Sequence, residues 1–166
     1  PGAPHLMTTL ILMRHGVAED HAPGGDAARA LTARGRERAA QAATGLVALG
    51  LAPDLVLCSP LVRCAQTARE VGGAAGCPVQ HDDRLAPGMT TDALLDAVLE
   101  HPGAGVVLAC SHQPGLSYAL ADLTGCGMIA FRRPGAAVVR MDAIWAGGGE
   151  LVAVLPPRVL RAASGA

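Results

Sequence analysis

The chain has 166 residues, enough for one domain with a layered core but short for two independent cores. Its formal net charge is -1, which excludes a broadly basic nucleic-acid-binding surface and requires any anion site to be local. Apolar residues make up 51% of the chain, yet no apolar run approaches the roughly 20 residues of a membrane span. We therefore predict neither nucleic-acid nor membrane binding.

The N-terminal segment 1–6 has no Lys or Arg and no long apolar run, so it does not have the pattern of a secretory signal. We expect a non-native remnant or a disordered terminus there, with Met7 as the natural start and one domain over 8–160. The five cysteines form no C-x-x-C pair, which argues against a disulfide framework and a structural zinc site. A cytoplasmic location is the simplest setting, and we expect no cofactor.

Short, uninterrupted apolar runs predict central parallel strands that are buried on both faces. Two later runs flank the glycine cluster 147–149 and predict an antiparallel hairpin at the sheet edge. The glycine pairs at 24–25 and 72–73 are interpreted as loops. The predicted strands are residues 9–13, 55–58, 106–110, 136–141 and 151–155.

Helical spacing of apolar residues separates these strands. The first helix follows a Thr32 cap, and the second begins with Ser59 as N-cap and Pro60 in its first turn. Thr91 is the predicted cap of a third helix, and a fourth follows Pro114. Strands that alternate with helices predict an α/β fold built on a layered sheet.

Three polar motifs each follow a predicted central strand directly: R-H-G at 14–16, the segment 59–63, and S-H-Q-P at 111–114. In open α/β sheets, ligands bind in the crevice beyond the carboxyl ends of the strands. The motifs would bring two guanidinium groups and two imidazoles together there. Such a set complements a phosphate group.

The ordered set of motifs resembles the histidine phosphatase superfamily, and within it the small SixA-type phosphohistidine phosphatases. This resemblance covers nearly the whole chain and implies a phosphoglycerate mutase-like fold. That fold is a three-layer α/β/α sandwich whose mostly parallel central sheet has an antiparallel edge. The motifs are L-I-L-M-R-H-G (10–16), A-L-T-A-R-G (30–35), S-P-L-V-R-C-A-Q-T-A (59–68), R-L-A-P-G (84–88) and S-H-Q-P-G (111–115).

The resemblance implies a role for each of four residues. His15 matches the histidine that becomes phosphorylated, while Arg14, Arg63 and His112 match the residues that bind the phosphoryl group. As a nucleophile, His15 needs a neutral imidazole, and neighbouring cations favour that form by lowering its pKa. No step of such a mechanism requires a metal.

Two further residues are candidates for phosphate contact. Ser59 is a candidate beside its capping role, and Gln113 is a candidate whose alternative role is to hold a loop. The chain departs from the family pattern at Ser111, where a glycine commonly precedes the histidine. The departure affects backbone approach but removes no phosphate ligand.

The R-L-A-P-G segment bears on the substrate. Members that cleave alkyl phosphate esters usually carry an acidic proton donor there, whereas this chain has Ala86 near that place. Imidazole leaves far more easily than an alkoxide, so the pattern favours a phosphohistidine protein over a small phosphorylated substrate and argues against a mutase. Glu19, Asp82 and Asp83 remain alternative acids, and a broad phosphomonoesterase remains an alternative function.

Three other interpretations carry less weight. A cysteine phosphatase needs C-x₅-R, whereas Cys58 and Arg63 are spaced C-x₄-R. A zinc site from His15, His112 and Cys110 lacks a closed-site pattern, and the arginines would repel the metal. A non-catalytic phosphate-binding or interaction module on the same fold would not need His15.

Overall fold

The computed structural model describes residues 7–166, so the prediction for 1–6 lies outside the described residues. A six-stranded sheet carries helices on both faces, which confirms the predicted three-layer α/β/α architecture. The strands are β1 (Thr8–Arg14), β2 (Leu55–Cys58), β3 (Val79–His81), β4 (Val106–Ser111), β5 (Ala136–Met141) and β6 (Gly149–Leu155). The helices are α1 (Ala33–Ala48), α2 (Val62–Ala75), α3 (Thr91–Leu99), α4 (Gly115–Thr124) and α5 (Pro157–Ala163).

The order of strands across the sheet is β3-β2-β4-β1-β5-β6. The first four of these strands pair in parallel, and β5 and β6 add the antiparallel edge that the sequence predicts. The register pairs Arg14 with Ser111 across β1 and β4, and Cys58 with Cys110 across β2 and β4. The three polar motifs therefore follow neighbouring strands and lie next to one another at the carboxyl ends of β1, β2 and β4.

The sheet separates two apolar cores. Along β1, Leu10 and Leu12 pack on the side of α3 and α4, whereas Ile11 and Met13 pack on the side of α1, α2 and α5. All four side chains are fully buried, as expected for a central strand whose successive side chains point to opposite faces.

The first residues of two helices differ from the sequence prediction. Ser59 does not cap α2, because the helix begins three residues later at Val62. The serine hydroxyl accepts a hydrogen bond from the backbone N–H of Leu61 at 3.3 Å and lies 2.8 Å from His112 Nε2. Thr90, not Thr91, caps α3 by accepting a hydrogen bond from the backbone N–H of Ala93. In both places a side-chain partner from elsewhere in the fold engages the expected capping residue, since Thr91 donates to Asp122 of α4.

The glycine pair at 72–73 lies inside α2, so its interpretation as a loop is wrong. Gly72 is buried where α2 crosses β3, and a Cβ atom there would lie 2.4 Å from Val79 Cγ2. The close approach of helix and strand, rather than a turn, therefore accounts for this glycine.

Two elements have no counterpart in the sequence prediction. The strand β3 has three residues, and its only apolar one, Val79, is half-buried. The helix α5 has seven residues, but it buries Leu160 completely against the helical layer that contains α1. Elements this short carry too few residues to show a period. Within residues 7–166, no helix has the length and apolarity to cross a membrane.

Candidate active site

The carboxyl ends of β1 and β4 bring the two motif histidines together. His15 and His112 are each 5% exposed, and their ring centroids lie 5.2 Å apart with the planes tilted by 57°. The two histidines are 97 positions apart in the sequence, so the parallel register of β1 and β4 is what makes them neighbours.

A backbone carbonyl orients the His15 ring. Nδ1 of His15 lies 2.7 Å from the carbonyl oxygen of Gly16. Because a carbonyl oxygen only accepts, Nδ1 carries the hydrogen and Nε2 keeps its lone pair. Burial lowers the pKa of His15 to about 3, against the raising effect of the Gly16 hydrogen bond and with smaller lowering effects from His112, Arg63 and Arg14. The imidazole is therefore neutral at physiological pH.

Arg63 is held by a residue that sequence analysis did not single out. Its two terminal nitrogens donate to Asp26, one to the backbone carbonyl at 2.8 Å and one to Oδ2 at 3.0 Å. The hydrogen bond from Arg63 lowers the pKa of Asp26, so this carboxylate stays charged. No local pattern marks Asp26, which lies in a short 3-10 turn 37 residues before Arg63.

Arg14 is anchored by a different segment of the chain. One of its terminal nitrogens donates to the carbonyl of Phe131 at 2.7 Å. Burial, and second the Arg133 guanidinium, lower the pKa of Arg14. Within residues 7–166, the Nε atoms of Arg14 and Arg63 are buried without a hydrogen-bond partner, so each guanidinium retains an N–H group to donate.

His112 contacts two side chains that follow β2 in the sequence. Its Nε2 lies 2.8 Å from Ser59 Oγ and 3.4 Å from Cys64 Sγ. Ser59 thus lies at the site, where its side-chain contact is with His112. Gln113 Oε1 accepts a hydrogen bond from Ser117 Oγ at 2.7 Å, whereas its Nε2 is buried without a hydrogen-bond partner among residues 7–166.

A buried threonine that sequence analysis also missed connects the His15 loop to α2. Thr67 Oγ1 accepts from the backbone N–H of Gly16 at 3.0 Å and donates to the carbonyl of Arg63 at 2.7 Å. Thr67 therefore links Gly16, which directly follows His15, to the first turn of α2, which carries Arg63.

The serine that departs from the family pattern has a structural partner. Ser111 Oγ donates to the backbone carbonyl of Leu85 at 2.7 Å. This bond holds the segment that contains Ala86 against the end of β4. Ala86, where the resemblance leads us to expect an acid in enzymes that cleave phosphoesters, thus directly follows a residue that is tied to the end of β4.

None of the three alternative acids contacts the His15 ring in the part of the chain that the structure describes. Asp82 caps a 3-10 turn and pairs with Arg84, whose hydrogen bonds lower the pKa of the Asp82 carboxyl. A carboxyl that stays ionised is a poor proton donor. Glu19 and Asp83 are both exposed.

The geometry weakens the cysteine alternative. Cys58 is completely buried, and burial, with the nearby Cys64 as a second cause, raises the pKa of its thiol to about 12. A thiol with that pKa does not supply a thiolate at neutral pH.

Over residues 7–166, no group of three or more His, Cys, Asp or Glu side chains is arranged to hold a metal ion.

Comparisons with known proteins point to one family. Residues 10–87 match the family model of the histidine phosphatase superfamily, branch 1. An uncharacterized protein from Picosynechococcus is 40% identical over 113 residues, which are 64% of this chain and 67% of the relative.

Two solved structures of similar size align over nearly their whole length. The protein histidine phosphatase SixA complexed with tungstate is 28% identical with a TM-score of 0.83, over 92% of this chain and 99% of that one. A putative phosphohistidine phosphatase SixA from Nakamurella is 29% identical with a TM-score of 0.79, over 91% and 96%. Together with the family match, these likenesses establish that the chain belongs to the histidine phosphatase superfamily as a SixA-type member.

Proposed function

We propose that this phosphatase removes phosphate from phosphohistidine on a partner protein and that His15 carries the phosphoryl group between two half-reactions. Membership of the superfamily supports phosphatase activity in general. The finer proposal depends on one observation: Nδ1 of His15 is committed to Gly16, which leaves Nε2 as a neutral nucleophile between two arginines and a second histidine.

In the first half-reaction, the lone pair of His15 Nε2 attacks phosphorus. A bond forms between Nε2 and phosphorus as the bond between phosphorus and the substrate imidazole breaks. The other nitrogen of the substrate ring holds a proton from solvent, so the ring leaves as a neutral imidazole. Arg14, Arg63 and His112 donate to the phosphoryl oxygens, because catalysis of phosphoryl transfer consists largely of positioning and charge stabilisation. In the second half-reaction, water attacks phosphorus and the bond between Nε2 and phosphorus breaks. His15 returns to its neutral form with the Nδ1 proton in place, and the protons of the water go to the inorganic phosphate and to solvent.

The leaving group supports the choice of phosphohistidine. An imidazole, with a conjugate-acid pKa of about 6.5, leaves without a strong general acid. An alkoxide needs a proton donor, whereas Ala86 stands where related enzymes place one and Asp82 is held ionised by Arg84. We therefore propose phosphoesters, including small sugar phosphates, as poor substrates.

The test of the covalent step is a phosphoenzyme. A brief reaction with a labelled phosphoryl donor should give acid-labile, base-stable label on the wild-type protein and none on His15→Ala. His81→Ala is the matched control, because His81 is exposed and lies in none of the motifs. Label that persists undiminished in His15→Ala would contradict the proposal.

The test of substrate class is a comparison of turnover. A protein phosphorylated on histidine should be dephosphorylated at least about 100-fold faster, in kcat/KM, than phosphoserine protein or sugar phosphates, since the latter lack an assisted leaving group. Equal rates on all three would favour a broad phosphomonoesterase. Retention of phosphate with no hydrolysis of any phosphoramidate would instead indicate a binding module.

A further inference from the structure

A groove of about 1000 Å³ lies beside the active site. Its walls come from α1, from the segment 130–133 that precedes β5, and from the start of α5. Arg14 is the one residue of the His15 site that lines it. The groove is therefore a separate surface that meets the phosphate site at a single arginine.

The charge of this groove is strongly one-sided. Of the chain's 13 Lys and Arg residues, six line the groove, and none of its 14 acidic residues does. We call this surface the arginine groove; its arginines are Arg14, Arg38, Arg132, Arg133, Arg158 and Arg161. A chain with a net charge of -1 thus concentrates nearly half of its positive charge on one concave surface.

Among the residues that the structure describes, no carboxylate forms an ion pair with an arginine of the groove. The five arginine–carboxylate ion pairs found in residues 7–166 all involve arginines outside the groove. Arg132, Arg133, Arg158 and Arg161 are all exposed. Clustered like charges repel one another, so a surface of this kind is stabilised by an anionic partner.

The groove and the phosphate site are adjacent, because Arg14 belongs to both. The Arg14 side chain donates to the backbone of Phe131, which is a wall of the groove. The Arg133 guanidinium is close enough to act on the pKa of Arg14. A substrate whose phosphoryl group lies at His15 would therefore extend its neighbouring residues along the arginine groove.

The shape and the chemistry of the walls select the occupant. The groove is far larger than a single phosphate, and its arginines come from three separate parts of the fold. Single-stranded nucleic acid binds by base stacking on exposed aromatic rings, but the groove's aromatic residue, Phe131, is only 5% exposed. We propose that the arginine groove binds an acidic polypeptide segment of the phosphorylated partner, next to its phosphohistidine. This inference rests on the proposed function and adds the chemistry of the partner.

The experiment compares two synthetic peptides of equal length, each phosphorylated on one histidine. One has Asp and Glu around the histidine, and the other has Ser and Asn. At low ionic strength, the wild-type protein should prefer the acidic peptide about 10-fold or more in kcat/KM. The preference should disappear in 0.5 M NaCl, because salt screens exposed charges.

A double variant tests whether the groove is the cause. Arg158→Ala/Arg161→Ala should lose about 5-fold of the preference for the acidic peptide, as expected for two exposed charge contacts. Arg36→Ala/Arg69→Ala is the matched control, because it removes the same charge from exposed positions on α1 and α2 outside the groove. Equal preference in the wild type and both variants would overturn the inference, and so would an equal loss in both variants.

A binding measurement separates this inference from the proposed function. If neither phosphopeptide is hydrolysed, the proposed function fails, but a fluorescent, unphosphorylated Asp/Glu peptide still tests the groove by anisotropy. Weaker binding to Arg158→Gln/Arg161→Gln than to the wild type would support an acidic-peptide surface. Tighter binding of a single-stranded oligonucleotide of equal charge, or peptide binding that the variant leaves unchanged, would overturn it.

Discussion

Thr67 shows how the active site depends on side chains that do not touch a substrate. Its hydroxyl is completely buried and serves two backbone groups, the N–H of Gly16 and the carbonyl of Arg63. Gly16 in turn accepts the hydrogen bond from His15. The position of the His15 ring therefore depends on a chain of hydrogen bonds that begins in α2.

We expect Thr67→Val to weaken both stability and activity. Valine has nearly the same shape but leaves the buried N–H of Gly16 without a partner, which costs about 1–3 kcal/mol of the free energy of unfolding. The displaced Gly16 carbonyl should lower kcat by about 10-fold or more through the orientation of His15. Urea unfolding and steady-state kinetics measure the two effects.

Thr44→Val is the control for this substitution, because Thr44 is exposed on α1. If the unfolding midpoint and kcat of Thr67→Val matched those of the control, the structural role assigned to Thr67 would be wrong. A loss of stability with unchanged kcat would show that His15 is oriented by other contacts.

At the level of elements, glycines allow two pairs of segments to approach closely. A Cβ at Gly45 of α1 would lie 2.0 Å from the backbone carbonyl oxygen of Leu160 in α5. A Cβ at Gly35, also in α1, would lie 2.0 Å from the carbonyl oxygen of Val17, in the segment that follows His15. The packing of α1 against its neighbours therefore depends on the absence of side chains at these two positions.

We predict opposite effects for alanine at two helical glycines. Gly45→Ala should destabilise the protein by about 2 kcal/mol or more, because the obstacle is backbone and α5 must shift. Gly73→Ala should stabilise it by about 0.5–1 kcal/mol, because Gly73 lies inside α2 with no atom within 4 Å of its added Cβ and gains helix propensity.

Thermal and urea unfolding of the two variants and the wild type measure this difference. The unfolding midpoints should rank Gly73→Ala above the wild type and Gly45→Ala well below it. Equal midpoints for all three proteins would mean that α5 does not pack on α1 as described.

For the whole molecule, the burial of His15 links stability to pH. In the unfolded chain the imidazole has its ordinary pKa of 6.5, whereas in the folded protein burial lowers that pKa to about 3. Between these values the unfolded state binds the proton and the folded state does not. The contribution of His15 to stability is therefore complete above pH 6.5 and is lost as pH falls toward 3.

His15→Gln should flatten this dependence. The variant has no titrating group at this position, so its free energy of unfolding should fall less steeply below pH 6.5, by up to about 1.4 kcal/mol per pH unit. Urea unfolding of both proteins at several pH values from 4 to 7.5 measures the slopes. Carboxylates such as Asp82 titrate in both proteins and cancel in the difference, so identical slopes would show that His15 is not held neutral.

The order of the main strands and helices, and the motifs that follow β1, β2 and β4, could be predicted from the amino-acid sequence alone. The prediction was possible because these features are local: buried strands appear as short apolar runs, helices as apolar spacing, and the motifs stand directly after the strands. The predicted hairpin and the Thr32 cap of α1 have the same local origin.

The groups that complete the site became known only from the folded chain. Asp26 reaches Arg63 across 37 residues, and the Phe131 carbonyl reaches Arg14 across 117, so no local pattern could reveal either contact. The same holds for the capping errors, since Ser59 turns to His112 and Thr91 turns to Asp122. A buried polar group takes whichever partner the packed fold brings within reach, and the local sequence contains only its nearest candidates.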